Sequence, residues 1–209
     1  MAASRPFADE AAMLDRADAI WWSLDPHDWL EAFSAHPKIG APATPRWSAQ
    51  EQSGMAGAAA AVSDRLASGN RAYEARFGYI FIICATGKPA GEMLEALEQR
   101  LGNTPDRELR IAAEEQRKIT RLRVAKLIDG EAALKAGDGR AALKLFADAN
   151  SLLDTWNGRF DLGRAYLEVG AFTEADSEFD RCIKRRGEAL GLFWDLPTYS
   201  YFPPVYYYQ

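Results

Sequence analysis

The stretch FGYIFIICATGKPAGEMLEALEQRLGNTPDRELRIAAEEQRKITRLRVAKLI, residues 77–128, decides the fold. It opens with an apolar run, residues 79–84, which is too short to span a membrane and lacks the alternation of a half-buried strand. A helical pattern follows, and one face carries its apolar side chains, Met93, Leu94, Leu97 and Leu101. A second, long and charged helix begins at Thr104 and Pro105. The stretch therefore predicts a helical hairpin with a buried inner face.

Two shorter helices are predicted near the N-terminus. The first spans about residues 9–22. The second begins at Asp25, a typical N-cap followed by proline, and ends at His36 because Pro37 disfavours a helical residue ahead of it. The large apolar residues of this second helix are predicted to share one face: Trp29, Leu30 and Phe33. His36 is thus placed at a helix C-terminus, where the dipole favours an imidazolium ion.

A third helix is predicted in the alanine-rich segment that follows. Ser48 and Glu51 have the spacing of a capping box, so the helix begins there and extends to about residue 68. Gly69 and Asn70 then break the helical pattern. No segment up to residue 128 has the pattern of a convincing strand. The predicted fold class is all-α, a helical bundle.

The composition argues against several classes of protein. The chain has 209 residues and a net charge of −5 without a basic stripe, so we expect no nucleic-acid partner. Its two cysteines, Cys84 and Cys182, have no metal-ligand spacing, and its two histidines, His27 and His36, are too few for a structural zinc site. No secretory signal or membrane span is visible. We therefore expect a soluble cytoplasmic protein that is not bound to a membrane.

The sequence pattern changes after residue 128. Four residues recur 33 positions later: Gly130, Gly137, Ala142 and Phe146 correspond to Gly163, Gly170, Ala175 and Phe179. Together with Leu162 and Tyr166, this pattern resembles the tetratricopeptide helical hairpin, and the alternative is an unrelated pair of hairpins. The predicted domains are therefore residues 1–128 and a tetratricopeptide-like segment, residues 129–209. Since two repeats bury little core, this segment is expected to dock on the first domain or to contact a second subunit or another protein partner.

Residues 77–88, FGYIFIICATGK, and residues 108–127, ELRIAAEEQRKITRLRVAKL, closely resemble the OHCU decarboxylases. These enzymes convert 2-oxo-4-hydroxy-4-carboxy-5-ureidoimidazoline (OHCU) to (S)-allantoin, the last step of urate oxidation. The resemblance begins at the motif Arg5, Pro6 and Phe7, before which family members carry a longer segment, and it ends near residue 128. It implies a helical bundle and a small-molecule substrate.

The resemblance also implies catalytic residues. Residues 36–40, HPKIG, are similar to the family's HPxxG motif, in which the histidine is the general acid and the proline shapes the pocket; these are His36 and Pro37. Ser48, Glu51 and Gln52 match the family's S-x-x-E-Q pattern. There the glutamate lies near the histidine, and the serine and glutamine help to bind the substrate. From the residues alone, a lone histidine at a helix end such as His36 is more often structural or solvated than catalytic, and a capping role accounts for Glu51.

An arginine completes the implied site. The family places an arginine of its ITxLRL segment on the substrate, matched by residues 119–124, which contain Arg121 and Arg123. Positions two apart on a helix face different directions, so we expect one of the two to be solvated. We favour Arg123 for the substrate carboxylate, through a bidentate pair.

The apolar run is expected to supply backbone groups and a wall around the substrate ring, through Ile82, Ile83, Cys84 and Ala85. The alternative is that these four residues only fill the core. Because the substrate ring can delocalise the electron pair that loss of CO₂ leaves behind, the implied reaction needs no cofactor and no metal.

Two further functions remain open from the sequence. The chain could be a non-catalytic helical scaffold, or a peptide-binding adaptor built on residues 129–209. The retained histidine, glutamate, glutamine and arginine argue for the enzyme, whereas the short N-terminus and the unusual C-terminal segment favour the scaffold.

Overall fold

The computed structural model describes residues 6–36 and 60–185. Within these ranges the fold is all-helical and contains no strand, which confirms the predicted class. The helices are α1 (Glu10–Ser23), α2 (Pro26–Ser34), α3 (Ala60–Phe77), α4 (Ala90–Arg100), α5 (Pro105–Lys135), α6 (Gly139–Leu152), α7 (Trp156–Glu168) and α8 (Phe172–Lys184). In this part of the chain no helix is both long enough and apolar enough to cross a bilayer.

The chain divides into two compact units. The first unit comprises residues 18–121, and the second combines residues 1–17 with residues 122–209. Helix α5 contributes residues to both units and continues without interruption through residue 128, the predicted domain boundary.

Helix α2 begins where the sequence predicts. One Asp25 side-chain oxygen accepts hydrogen bonds from the backbone N–H groups of His27 and Asp28, and the Asp28 carboxylate accepts one from the Asp25 N–H. The predicted end at His36 is wrong by two residues, because the helix stops at Ser34. The predicted inner face is also wrong in one position, since Leu30 is 38% exposed. The remaining two members of that face, Trp29 and Phe33, are buried.

The break predicted at Gly69 and Asn70 is wrong, because α3 runs through both residues. A Cβ atom on Gly69 would lie 2.6 Å from Cδ2 of Leu97, so glycine is required here for close packing against α4. The Asn70 side chain donates a hydrogen bond to the backbone carbonyl of Leu66, one turn earlier in the same helix. Tertiary packing and this local bond overcome the weak helix propensity of the pair.

The core of the first unit lies between α3, α4 and the apolar segment that joins them. Its buried side chains form one cluster: Leu66, Tyr73, Phe81, Ile83, Ala85, Ala90, Met93, Leu94 and Leu97. Four aromatic rings meet within this cluster or at its edge: Tyr73, Phe77, Tyr79 and Phe81. The ring centroids of Tyr73 and Phe81 are 5.2 Å apart. The apolar face of α4 is buried as predicted, but in this cluster it packs against α3 and the apolar segment rather than against α5.

The second unit repeats one helix–helix contact. A Cβ atom on Gly130 would lie 2.5 Å from the ring of Phe146, and one on Gly163 would lie 2.4 Å from the ring of Phe179. Both phenylalanines are fully buried. The turns between the paired helices contain Gly137 and Gly170, at φ 76° and 77°, a region that non-glycine residues rarely adopt. The 33-residue sequence period is therefore also a period of packing.

Cys182 lies in the core of the second unit. Its thiol donates to the Trp156 carbonyl, while the Trp156 indole donates to the Cys182 carbonyl at 2.8 Å. Burial raises the pKa of the Cys182 thiol to about 12.

Gly163→Ala is expected to lower the free energy of unfolding by about 1–3 kcal/mol, because its Cβ would overlap the Phe179 ring. Chemical denaturation followed by circular dichroism measures the change. Gly91→Ala is the matched control, since a Cβ there meets no atom within 4 Å, and it is expected to be neutral or stabilising. Equal effects of the two substitutions would show that the close approach at Gly163 is not required.

Candidate functional site

The segment from Phe81 to Ala85 is buried but forms no secondary structure. Each of these five residues is at most 6% exposed. Phe81, Ile83 and Ala85 belong to the core cluster of the first unit, whereas Ile82 and Cys84 do not, which is the alternation of an extended chain. This alternation is not visible in the sequence because both sides of the segment are buried. An extended buried segment without a partner strand leaves its backbone groups to be satisfied by other means.

Charged side chains bond the backbone on both sides of Ile83. Arg100 donates to the Ile82 carbonyl at 2.7 Å. The Cys84 N–H donates to the Glu115 carboxylate at 2.8 Å, and the Lys88 ammonium donates to the Cys84 carbonyl at 2.8 Å. Between them, the N–H and C=O of Ile83 have no hydrogen-bond partner among the described residues. Ile83 thus lies between two fixed peptide groups with its own backbone donor and acceptor open, which suits a ligand with amide-like edges.

A buried ionic network lies behind this segment. Glu108 is fully buried and forms an ion pair of 2.6 Å with Arg100, which is 7% exposed. The Glu108 carboxylate also accepts hydrogen bonds from the Tyr73 hydroxyl and from the Asn103 amide, the latter at 2.7 Å. Burial, and then the bond to Glu108, raise the pKa of Tyr73 above its usual value. Tyr73 therefore stays a neutral hydrogen-bond donor.

Cys84 is not suited to nucleophilic chemistry. Its side chain is buried, and burial raises the pKa of its thiol above the usual range. A protonated, inaccessible thiol is a poor nucleophile. The role predicted for Cys84 through its backbone therefore stays a prediction, and a role for its thiol as a nucleophile is disfavoured.

His36 lies just beyond the end of α2. It is partly buried, and its backbone N–H donates to the Phe33 carbonyl at 3.1 Å. Phe33 is fully buried and its ring contacts the Tyr79 ring, with centroids 5.4 Å apart. Helix α2 is further tied to α1 by a hydrogen bond from the Trp29 indole to the Trp21 carbonyl at 3.0 Å. His36 is therefore attached to a well-packed helix of the same unit that holds the extended segment.

The two candidate arginines belong to different units. Arg121 pairs with Asp18 at 2.7 Å in the first unit, and Asp18 also pairs with Arg117. Arg123 belongs to the second unit, where it donates to the Thr155 hydroxyl at 2.7 Å. Both are at least partly buried and bonded, so the expectation that one of them is simply solvated is wrong.

Burial shifts the pKa values of Arg123 and of the nearby Asp161. Its pKa lies below the usual range because its guanidinium is desolvated. The carboxyl group of Asp161, in the same unit, has a pKa raised to about 6, again mainly by burial. Arg123 has no ion-pair partner within 4 Å among the described residues, and its charge is balanced only at longer range by Asp161 and Asp154.

Four predicted site residues, Pro37, Ser48, Glu51 and Gln52, lie outside the described residues.

Among the described residues, one group has oxygen and nitrogen atoms close enough together to hold a metal ion: Asp25, His27 and Asp28. It is exposed, and its two carboxylates are used to cap α2.

Sequence reasoning missed Arg100, Glu108, Glu115 and Lys88. A signal was present for two of them. Arg100 follows Leu97 by three positions and Glu108 precedes Ala112 by four, so each shares a helix face with a buried apolar residue. A charged residue on an apolar face is rarely buried unless it is paired.

Comparison with known proteins identifies the family of this chain. Residues 1–125 match the family described as OHCU decarboxylase. The chain is 45% identical over 141 residues to the "Uric acid degradation bifunctional protein TTL" of Arabidopsis thaliana, covering 63% of this chain and 43% of that protein. It is 39% identical over 79 residues to the "2-oxo-4-hydroxy-4-carboxy-5-ureidoimidazoline decarboxylase" of Amia calva, covering 38% and 45% of the two chains. The chain therefore spans less than half the length of these curated relatives.

A solved structure gives the same result for the fold. The crystal structure of OHCU decarboxylase in the presence of (S)-allantoin superposes with a TM-score of 0.54 at 43% sequence identity, covering 61% of this chain and 87% of that one. With the family match extending over more than half of the residues, this chain belongs to the OHCU decarboxylase family.

Proposed function

We propose that this protein catalyses the decarboxylation of OHCU to (S)-allantoin in urate degradation. The observation that carries the proposal is the buried segment at Ile83, whose backbone N–H and C=O have no partner among the described residues. A ureidoimidazoline ring carries amide-like N–H and C=O edges that match such a pair. Family membership and the relatives' names support the same reaction.

The proposed mechanism needs one proton and an oriented carboxylate. The bond between the ring carbon and the carboxylate breaks, CO₂ leaves, and the electron pair is delocalised into the adjacent ring. His36, as imidazolium, then donates its proton to one face of the neighbouring, ureido-bearing ring carbon, which sets the (S) configuration, while the hydroxyl on the carbon that lost CO₂ gives up its proton and becomes the ring carbonyl. Glu51 stabilises the imidazolium by its opposite charge. Exclusion of water around the apolar segment favours both steps.

The remaining roles are assigned as the sequence suggests. Pro37, Ser48 and Gln52 shape the pocket, and Arg123 binds the carboxylate that leaves, with Arg121 as the alternative. A guanidinium suits this task because it pairs with a carboxylate through two parallel hydrogen bonds. Substituting each arginine in turn distinguishes them, since loss of the binding residue weakens catalysis.

The test is the decarboxylation of freshly generated OHCU, followed by circular dichroism as (S)-allantoin forms. We expect a rate above the spontaneous one and a single enantiomer of the product. A well-folded protein that leaves the spontaneous rate unchanged would contradict the proposal and favour the non-catalytic scaffold.

For residues 129–209 we propose a tetratricopeptide-like pair of hairpins that contacts a second copy of the chain or another protein. The repeated glycine–phenylalanine contact supports the repeat assignment, and sedimentation analysis tests for a homodimer. We also propose that the protein is cytoplasmic, since Cys84 and Cys182 are both free thiols, as is usual in a reducing compartment.

A further inference from the structure

We propose that the ion pair between Arg100 and Glu108 positions the substrate-binding backbone at Ile83. Neither residue is expected to touch the substrate. Arg100 acts through the Ile82 carbonyl, and Glu108 acts through Arg100. This inference rests on the proposed function, because the Ile83 backbone is the part of the site that it serves.

The Arg100 guanidinium is bonded along two edges. Its Nε donates to Glu108 at 2.7 Å, and its Nη1 donates to the Ile82 carbonyl at 2.7 Å. The guanidinium carbon also lies 4.6 Å from the centroid of the Phe81 ring. A planar guanidinium bonded on two edges and stacked on a ring has little freedom to rotate. The Ile82 carbonyl is therefore held in one direction.

Glu108 is itself fixed on its other side. It accepts a hydrogen bond from the Tyr73 hydroxyl of α3, and one at 2.7 Å from Asn103, which precedes α5. Glu108 lies in the first turn of α5 and Arg100 at the end of α4. The ion pair that holds the Ile82 carbonyl is thus bonded to side chains of α3, of α4 and of the start of α5.

Stability alone does not explain a buried ion pair at this place. A buried ion pair can often be replaced by apolar residues without loss of stability, because desolvation offsets the attraction of the charges. An apolar pair could not bond the Ile82 carbonyl, and residues 6–36 and 60–185 contain no strand that could do so. Glu115 and Lys88 fix Cys84 two residues further on. With both neighbours fixed, the peptide groups of Ile83 have a defined direction.

The experiment compares three variants by steady-state kinetics with OHCU and by thermal unfolding. The double variant Arg100→Met with Glu108→Gln removes both charges but leaves an amide for Tyr73. Arg100→Lys keeps the charge, yet a single ammonium cannot reproduce the two-edged bonding of a guanidinium. The matched control is Arg65→Met with Glu98→Gln, which removes an exposed ion pair between α3 and α4.

We expect the double variant to fold and to raise KM about tenfold with kcat nearly unchanged, since the lost alignment weakens binding of substrate and transition state equally. The pH profile should not move, because His36 is intact. Arg100→Lys should give an intermediate KM, and the control should match the wild type. A folded double variant with wild-type KM would overturn the inference and leave the proposed function standing. If the double variant does not fold, the KM of Arg100→Lys is used instead, and a wild-type KM for this variant would overturn the inference.

A second readout separates this inference from the proposed function. Amide hydrogen exchange in peptides covering residues 78–88 is expected to be at least tenfold faster in Arg100→Lys and in the double variant than in the control. If the wild type does not accelerate decarboxylation, the proposed function fails, and this exchange measurement still decides whether the pair orders the segment. Unchanged exchange would overturn the inference.

Discussion

His36→Gln is expected to reduce OHCU decarboxylation by about 10²–10⁴-fold, the usual contribution of a positioned general acid. Glutamine is close to histidine in size and can form hydrogen bonds, but it cannot deliver a proton as imidazolium does. The helix that carries His36 is held by the buried Phe33 and by the Trp29 indole, so the substitution should leave the fold intact. The rate of (S)-allantoin formation, followed by circular dichroism, measures the loss.

His27→Gln is the matched control for this prediction. His27 is the other histidine of the chain, it is exposed, and its hydrogen bond to Asp25 uses the backbone N–H rather than the ring. The variant should therefore retain the wild-type rate. If both variants retain that rate, the proton comes from another group and the role of His36 in catalysis is excluded.

Glu108→Gln alone is expected to lower the free energy of unfolding by about 3–5 kcal/mol, the usual cost of removing one partner of a buried ion pair. Glutamine keeps the shape of the side chain, but the Arg100 guanidinium, 7% exposed, then loses its counter-ion. The Tyr73 hydroxyl and the Asn103 amide also lose a charged acceptor. Urea denaturation followed by tryptophan fluorescence measures the change.

Glu98→Gln is the control, because Glu98 pairs with Arg65 on the surface, where both side chains are more than 40% exposed. Exposed pairs contribute about 0–1 kcal/mol, so the loss should be small. The buried pair should also show recovery: adding Arg100→Met to Glu108→Gln removes the unpaired charge and should restore most of the stability. A double variant as unstable as Glu108→Gln would mean that bonds to Tyr73 or Asn103, rather than charge, dominate.

The limits of helices were predictable where a backbone rule applies. Asp25 with Pro26, and Thr104 with Pro105, mark the starts of α2 and α5 because proline suits the first helical position. The prediction failed at Gly69, where a long-range contact with Leu97 turns a helix breaker into a packing residue. The contact cannot be predicted from the residues near Gly69, because it depends on where α4 packs.

The site divides in the same way. His36 and the apolar segment could be proposed as site residues from the sequence because they lie in short motifs that resemble a family. The pair Arg100 and Glu108 was not found, because the apolar face that each residue shares does not show which charged residue is its partner. Only the three-dimensional structure shows that the two residues are buried and paired, and that Arg100 donates to the Ile82 carbonyl, 18 positions earlier in the chain. The conformation of that segment was also hidden, since a run buried on both sides has no visible period.

The two buried thiols allow the units to be observed separately. Cys84 belongs to the first unit and Cys182 to the second, and the chain contains no other cysteine. Because burial raises the pKa of both thiols, a thiol-specific reagent reacts at either position only when the surrounding structure opens. Timed alkylation followed by peptide mass spectrometry would therefore report the opening rate of each unit in a single sample, without any engineered label.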